Sequence, residues 1–357
     1  MKQQHEGPDK REYFKDRKVV RPSRKKKKTK GKLGRRVRIT ILSIVLIFLV
    51  GGSLTIFWFL SRIPRVDPED QTAIARSEQD FEKDSDEPDS VDPDSIDWNN
   101  DEFNVKEHDG IYNILLIGQD RREGETRARS DTMIIATLNT KKKSIILTSL
   151  MRDMYVPIYG YDDNRINAAY AFGGMELLDK VIALDFGVHI DGNIEVDFDG
   201  FIQSMTSVGN LDIELNAEEA EYLNQGNDWN LHAGVNSLNP EQVLAYARTR
   251  YVGNSDWERT ERQRRVLVTA FNKLRKSSPT VFLSTVNEML PNFTTDMTNT
   301  QILRYVSTVL INNMSVGNTY RIPVDGMYTS ETIRGMSVLV PDLPANAVEL
   351  DKYITEG

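Results

Sequence analysis

"YNILLIGQDRREGETRARSDTMIIATLNTKKKSIILTSL", residues 112–150, decides the fold. Three short apolar runs, Tyr112–Ile117, Thr132–Leu138 and Lys143–Leu150, have the length and β-rich composition of strands. The polar segment "NTKKK" between the second and third reads as a hairpin turn. With the strands running up, down and up, the loop Gly118–Ser130 and the chain just after Leu150 reach the same rim. Asp120, Arg129, Asp131 and Arg152 then converge there.

Downstream, "INAAYAF", "MELLDKVIALDF" and "DFDGFIQSMTSV" have helical spacing, with Gly173 and Gly174 separating the first from the second. "NPEQVLAYA" predicts a helix with Asn239 as N-cap and Pro240 in its first turn. A long helix follows from about Glu258. This mixture predicts an α/β domain, a layered α-β-α sandwich around a central mixed sheet.

Upstream, the run "ITILSIVLIFLVGGSLTIFWFL", Ile39–Leu60, carries no charge. It matches the about 20 residues a helix needs to cross a bilayer, and "SRIPR" after it gives no small-residue cleavage site. Residues 1–38 are dense in Lys and Arg, as in "RKKKKTK", so the N-terminus is expected in the cytoplasm and everything beyond Arg62 outside the cell membrane. A polybasic segment beside a membrane helix reads as a topology signal and a contact for anionic lipid, not as a nucleic-acid arm. Residues 61–109 are acidic and poor in apolar residues, and predict an extended spacer. The folded domain is expected over 110–345, with a short tail over 346–357.

The chain has no cysteine and four scattered histidines. Thiolate chemistry and Cys-based zinc sites are thereby excluded. No H-E-x-x-H, G-x-S-x-G or P-loop pattern occurs, which argues against zinc hydrolases, serine hydrolases and P-loop enzymes.

A second basic cluster lies in "RTRYVGNSDWERTERQRR". Arg248 and Arg250 share a face if extended, and Arg259 and Gln263 share one on a helix. Arg264, Arg265 and Glu261 are expected on a surface helix laced with salt bridges. Arg248 and Arg250 have no acidic partner close in sequence.

Taken in order, "NILLIGQDRR…RARSDTMIIATLN", "TSLMRDMYVPI", "RINAAYAFGG", "VDFDGF" and "LAYARTRY…DWERTERQRR" resemble the LytR-CpsA-Psr family of membrane-anchored cell-wall enzymes, across residues 112–272. The resemblance implies transfer of an anionic glycopolymer, a teichoic acid or capsular polysaccharide, from a polyprenyl diphosphate carrier to peptidoglycan through a phosphodiester. It further implies that Asp120 and Asp131 hold Mg²⁺ (or Mn²⁺), and that Arg129, Arg152, Arg248, Arg250, Arg259 and Gln263 contact the diphosphate. Asp120, Asp131 and Asp153 are alternative proton acceptors. Before Arg152 the sequence reads "SLM", where many members have proline. The rival readings are a wall-polymer binding module without chemistry and a membrane-tethered transcriptional regulator. The arc Met175–Leu184 reads first as a face packed against the sheet; the resemblance implies an apolar groove for the polyprenyl chain, with part of that arc and Tyr170, Phe172 and Phe201 as its expected lining.

Overall fold

The structure is a computed structural model that describes residues 58, 60–66, 83–98, 104–119, 128–253 and 256–357. Most of the run Ile39–Leu60, the basic tail and Asp120 lie outside the described residues. Among the described residues no helix is long and apolar enough to cross a membrane.

The elements are, in chain order, β1 (Ile111–Gln119), β2 (Ser130–Asn139), β3 (Ser144–Leu150), β4 (Tyr155–Val156), β5 (Asn164–Arg165), α1 (Ile166–Phe186), β6 (Gly192–Asp197), α2 (Phe198–Val208), β7 (Leu211–Leu215), α3 (Ala217–Asn224), β8 (Gly234–Leu238), α4 (Pro240–Arg248), α5 (Asp256–Lys276), α6 (Pro279–Met289), β9 (Thr294–Thr295), α7 (Asn299–Ile311), β10 (Ser315–Ile322), β11 (Tyr328–Ile333), β12 (Met336–Pro341) and α8 (Leu343–Glu356). The main sheet has the order β10-β3-β2-β1-β6-β9. β2 runs antiparallel to both β1 and β3, as their up-down-up hairpin pattern predicts. β10 and β6 flank them in parallel, so the sheet is mixed.

Alternation along β1 and β2 divides their apolar residues between two cores. Leu115, Ile117, Met133 and Ile135 pack under α1 and α8. Ile114, Ile134 and Leu138 face α7 and the α5 residues Leu267, Val268 and Phe271. A third core joins the β7–β8 hairpin to α3 and α4. The α-β-α layering follows from a sheet that is apolar on both faces.

Two boundaries differ from the sequence expectation. α8 runs through the boundary at residue 345, and Leu350 and Ile354 are buried in the first core. Asp342 caps this helix, accepting from Ala345 N, and Asn139 Nδ2 donates to Ile354 O at 3.2 Å. Part of the acidic spacer also docks: Asp84 N and Ser85 N both donate to Gly335 O, at 2.8 and 3.0 Å. The Asp84 carboxylate pairs with the buried Arg165.

α1 bends where the sequence broke it. Gly174 has φ +63° and ψ −151°, a conformation open to glycine and costly for other residues. Beyond the bend, Asp179 is held by Asn193 Nδ2, which donates to it at 2.8 Å and to Asp296 at 2.7 Å. Burial, outweighing the Asn193 hydrogen bond and reinforced by the Asp296 charge, raises Asp179 to about 8. Its protonated form is therefore favoured by folding, and that stability is complete at acidic pH and lost as pH rises through about 8. Asp179→Asn is expected to flatten this slope, making the variant more stable than the parent above neutrality in denaturant titrations across pH. An unchanged slope would contradict it.

Candidate functional site: an arginine–aspartate cluster at the mouth of an apolar groove

The register of β1 and β2 slips between Gly118 and Gln119, whose partners are Thr132 and Ser130. Asp131 is thus the extra residue of a bulge, a device that re-aims a side chain at a sheet rim. The adjoining loop end is fixed from below: Ala128 N donates to Gln119 Oε1 at 3.1 Å, while Gln119 Nε2 and Tyr170 Oη both donate to the buried Glu195.

Asp131 sits among guanidiniums. Arg152 Nη1 donates to its Oδ1 at 2.7 Å, and Arg250 Nη2 lies 3.7 Å from its Oδ2. Arg152 also faces Asp153 at 3.4 Å. Burial works to lower the Arg152 pKa, but the charges of Asp153, Asp131 and Asp256 outweigh it and raise it. Arg250 and Arg259 approach Asp256 at 3.6 and 2.9 Å. Burial lowers Arg259 to about 10, which leaves it charged at neutral pH.

Asp256 is the functional residue that the sequence reading missed. It and Asp153 share a hydrogen bond, and burial raises Asp153. For Asp256 the burial penalty is overcome by the Arg259 and Arg152 charges and by the Asp153 hydrogen bond, so its pKa falls. The signal was present in "DWER", an acid in the first turn of α5 one helical turn before Arg259.

Asp131, Arg248, Arg250, Arg259 and Gln263 line one part of a cavity of about 740 Å³. Most of its remaining wall is apolar, from Leu116, Ile134 and Ile194 on the sheet to Phe201, Leu267, Phe271, Met289 and Val306 on the helices. Arg248 ends α4 and is not extended; its guanidinium lies 4.2 Å from the Phe198 ring centroid. Arg250 has its acidic partners across the fold, in Asp131, and six residues on, in Asp256. Arg129 lies one residue before β2, half-buried, and is not among the cavity-lining residues.

The groove is not where the helical arc suggested. Met175, Leu178, Val181 and Ile182 are buried in the core between α1, α8 and the opposite face of the sheet, and Phe172 stacks on Tyr161 with centroids 4.8 Å apart. Of the residues expected to line the groove, Phe201 does. The apolar side of α1 is covered by the sheet and α8, with Glu176 and Lys180 left exposed, whereas the groove wall comes from other helices that keep one apolar side.

α5 is also less superficial than its charge suggests. Arg265 and Glu261 form the expected exposed pair at 2.8 Å. Arg264 is buried instead, donating to Ser149 Oγ at 2.7 Å. Arg262 is fully buried, donating to Glu219 at 2.7 Å and to the carbonyls of Thr249 and Val252 at 3.0 Å each. These two carbonyls flank Arg250, so Arg262 sets the loop that presents it.

A model of the LytR_cpsA_psr family matches residues 72–351. The regulatory protein MsrR of Staphylococcus aureus is 33% identical over 162 residues, 45% of this chain and 49% of that protein. The polyisoprenyl-teichoic acid–peptidoglycan teichoic acid transferase TagU of Oceanobacillus iheyensis is 32% identical over 194 residues, 52% and 58% of the two chains. The chain thus matches about half the length of these curated relatives. Among solved structures, TagT bound to LI-WTA superposes with a TM-score of 0.57 at 21% identity, covering 80% of this chain and 96% of that one. TagV of B. subtilis superposes with a TM-score of 0.56 at 22% identity, covering 70% and 98%. These likenesses establish a shared fold, the mixed α/β sandwich.

Proposed function

We propose that this chain, which belongs to the LytR-CpsA-Psr family, transfers an anionic glycopolymer from a polyprenyl diphosphate carrier to peptidoglycan. The observation that carries the reading is the groove itself, a long apolar wall ending in Arg248, Arg250 and Arg259. A ligand matched to it has a hydrocarbon tail and a concentrated anionic head. Guanidinium forks bind phosphate oxygens bidentately and stabilise charge developing at a leaving oxygen. In the proposed step a peptidoglycan hydroxyl attacks the polymer-side phosphorus, and the bond to the bridging oxygen breaks. Polyprenyl phosphate leaves, and a phosphodiester joins polymer to wall.

The hydroxyl proton needs an acceptor. Asp131 is the acceptor this reading assigns among the described carboxylates, because its side chain lines the groove mouth. Asp131 is also the described residue suited to Mg²⁺ or Mn²⁺: it is a hard oxygen donor at the groove mouth, and such ions take one or two carboxylates and fill their shell with phosphate oxygens and water. Among the described residues no group of three acidic or histidine side chains could hold a metal without the substrate. When bound, the ion would neutralise diphosphate charge. The chain is further proposed to be anchored by Ile39–Leu60, with its folded domain outside the cell.

Leu267→Trp tests the tail half of the reading, since Leu267 lines the groove. Excluding even two methylenes of tail costs roughly 1.6 kcal/mol, about tenfold in affinity. Long-tailed donor is expected to bind the variant about that much more weakly, with a short-tailed analogue unaffected. Equal binding of both donors to both proteins would contradict the assignment of this groove. Leu178→Trp, by contrast, is expected to destabilise the domain by overpacking its core without weakening the tail contact, because Leu178 is fully buried away from the groove.

A further inference from the structure

The uncharged run ends at residues whose surroundings are defined. Leu60 and Ile63 are buried against Met297 and the α7 residues Ile302 and Tyr305. Arg62 Nη1 donates to Asn287 of α6 at 3.0 Å, and Arg65 donates to Asn299 at the start of α7. Val66 N donates to Thr295 O, and Thr295 N to Pro64 O, both at 3.2 Å. The chain leaving the apolar run is therefore clamped between α6 and α7.

Asn299, Leu303, Val306 and Leu310 fall at spacings of four, three and four, on one face of α7. Its apolar members are open: Leu310 is 59% exposed, and Leu303 and Val306 are exposed on the same face. Contiguous exposed apolar surface rimmed by charge marks an interaction face. The Arg62 guanidinium lies 4.8 Å over the ring of the exposed Trp58, an amphipathic pairing suited to headgroup level. Val306 and Ile63 also line the groove, so the open face and the groove wall are continuous.

We infer that the exposed face of α7 lies in the outer leaflet of the lipid bilayer. The inference rests on reading Ile39–Leu60 as a membrane span, and on the described end of that run, where Leu60 and Ile63 lie against α7. Bilayer contact covers the apolar stripe and lets a hydrocarbon tail pass between leaflet and groove beside Val306 without crossing water.

The lack of cysteine in the chain permits a direct test. Leu303→Cys and Leu310→Cys in the full-length protein, labelled with an environment-sensitive fluorophore, are reconstituted into phosphatidylcholine–phosphatidylglycerol vesicles containing lipids brominated along the acyl chain. Val348→Cys, exposed on α8 across the sheet, is the control. Labels on α7 are expected to shift to the blue and be quenched at a depth of about 5–10 Å, while the control is neither shifted nor quenched. Protein that floats with the vesicles but shows α7 labels no different from the control overturns the inference alone. Label self-quenching between copies without lipid quenching also overturns it, in favour of a second chain on this face. Failure of the full-length protein to float with vesicles overturns the anchor reading and this inference with it.

Discussion

Arg262→Met is expected to lower stability by about 3–5 kcal/mol, the cost of breaking one side of a buried ion pair. Glu219 would keep its charge in a buried setting, and the Thr249 and Val252 carbonyls would lose their donors. Glu219 also closes the capping box of α3, accepting from Asn216 N at 3.0 Å, so its displacement would loosen that helix start. In thermal unfolding the loss corresponds to a midpoint lowered by roughly 10 °C for a domain of this size. Adding Glu219→Gln removes the orphaned charge and is expected to restore part of the loss. A single variant within a degree of the parent would show that the pair does not hold the Arg250 loop.

Arg152→Ala is expected to reduce transfer by about tenfold to more than a hundredfold, from the roughly 1.5–3 kcal/mol that a hydrogen bond to a charged group contributes. Arg152 is the hub through which Asp131, Asp153 and Asp256 are neutralised. Its loss leaves Asp131, which lines the groove mouth, without its closest guanidinium. Lysine keeps the charge but cannot span Asp131 and Asp153 with a planar fork, so Arg152→Lys should recover little. Arg248→Ala and Arg250→Ala are expected to fall in the same range. Parent-like rates for Arg152→Lys would mean that the site needs only diffuse positive charge.

The sheet centre was legible because β1, β2 and β3 alternate cleanly and are joined by a turn of five polar residues. That geometry alone brought Asp131 and Arg152 to one rim, where they meet at 2.7 Å. β10 was not legible: "SVGNTYRI" is an edge strand with mostly exposed or half-buried side chains, and nothing local announces its parallel pairing with β3. α8 carried signals that went unused, Asp342 as cap and Pro344 in its first turn. α5 misled through composition. In "DWERTERQRR" the arginines alternate between solvent, groove and core, and a pattern of charge cannot distinguish a guanidinium paired in water from one satisfied by backbone carbonyls. Asp256 likewise gains its meaning from Asp153, more than a hundred residues earlier in the chain. Groove placement failed because apolar periodicity reports that a helix is covered and not what covers it.

The most direct test of the central claim is a stoichiometric transfer assay. Full-length protein in vesicles, given a polyprenyl-diphosphate-linked glycopolymer, a peptidoglycan oligomer and Mg²⁺, is followed by phosphorus NMR. The account predicts that diphosphate signal converts to one phosphodiester and one polyprenyl phosphate per turnover, that chelation of the divalent ion stops it, and that Asp131→Ala abolishes it while donor still enters the groove. Donor bound in the groove by the unaltered protein, with no polyprenyl phosphate released in the presence of acceptor and metal, would contradict it and leave a binding module.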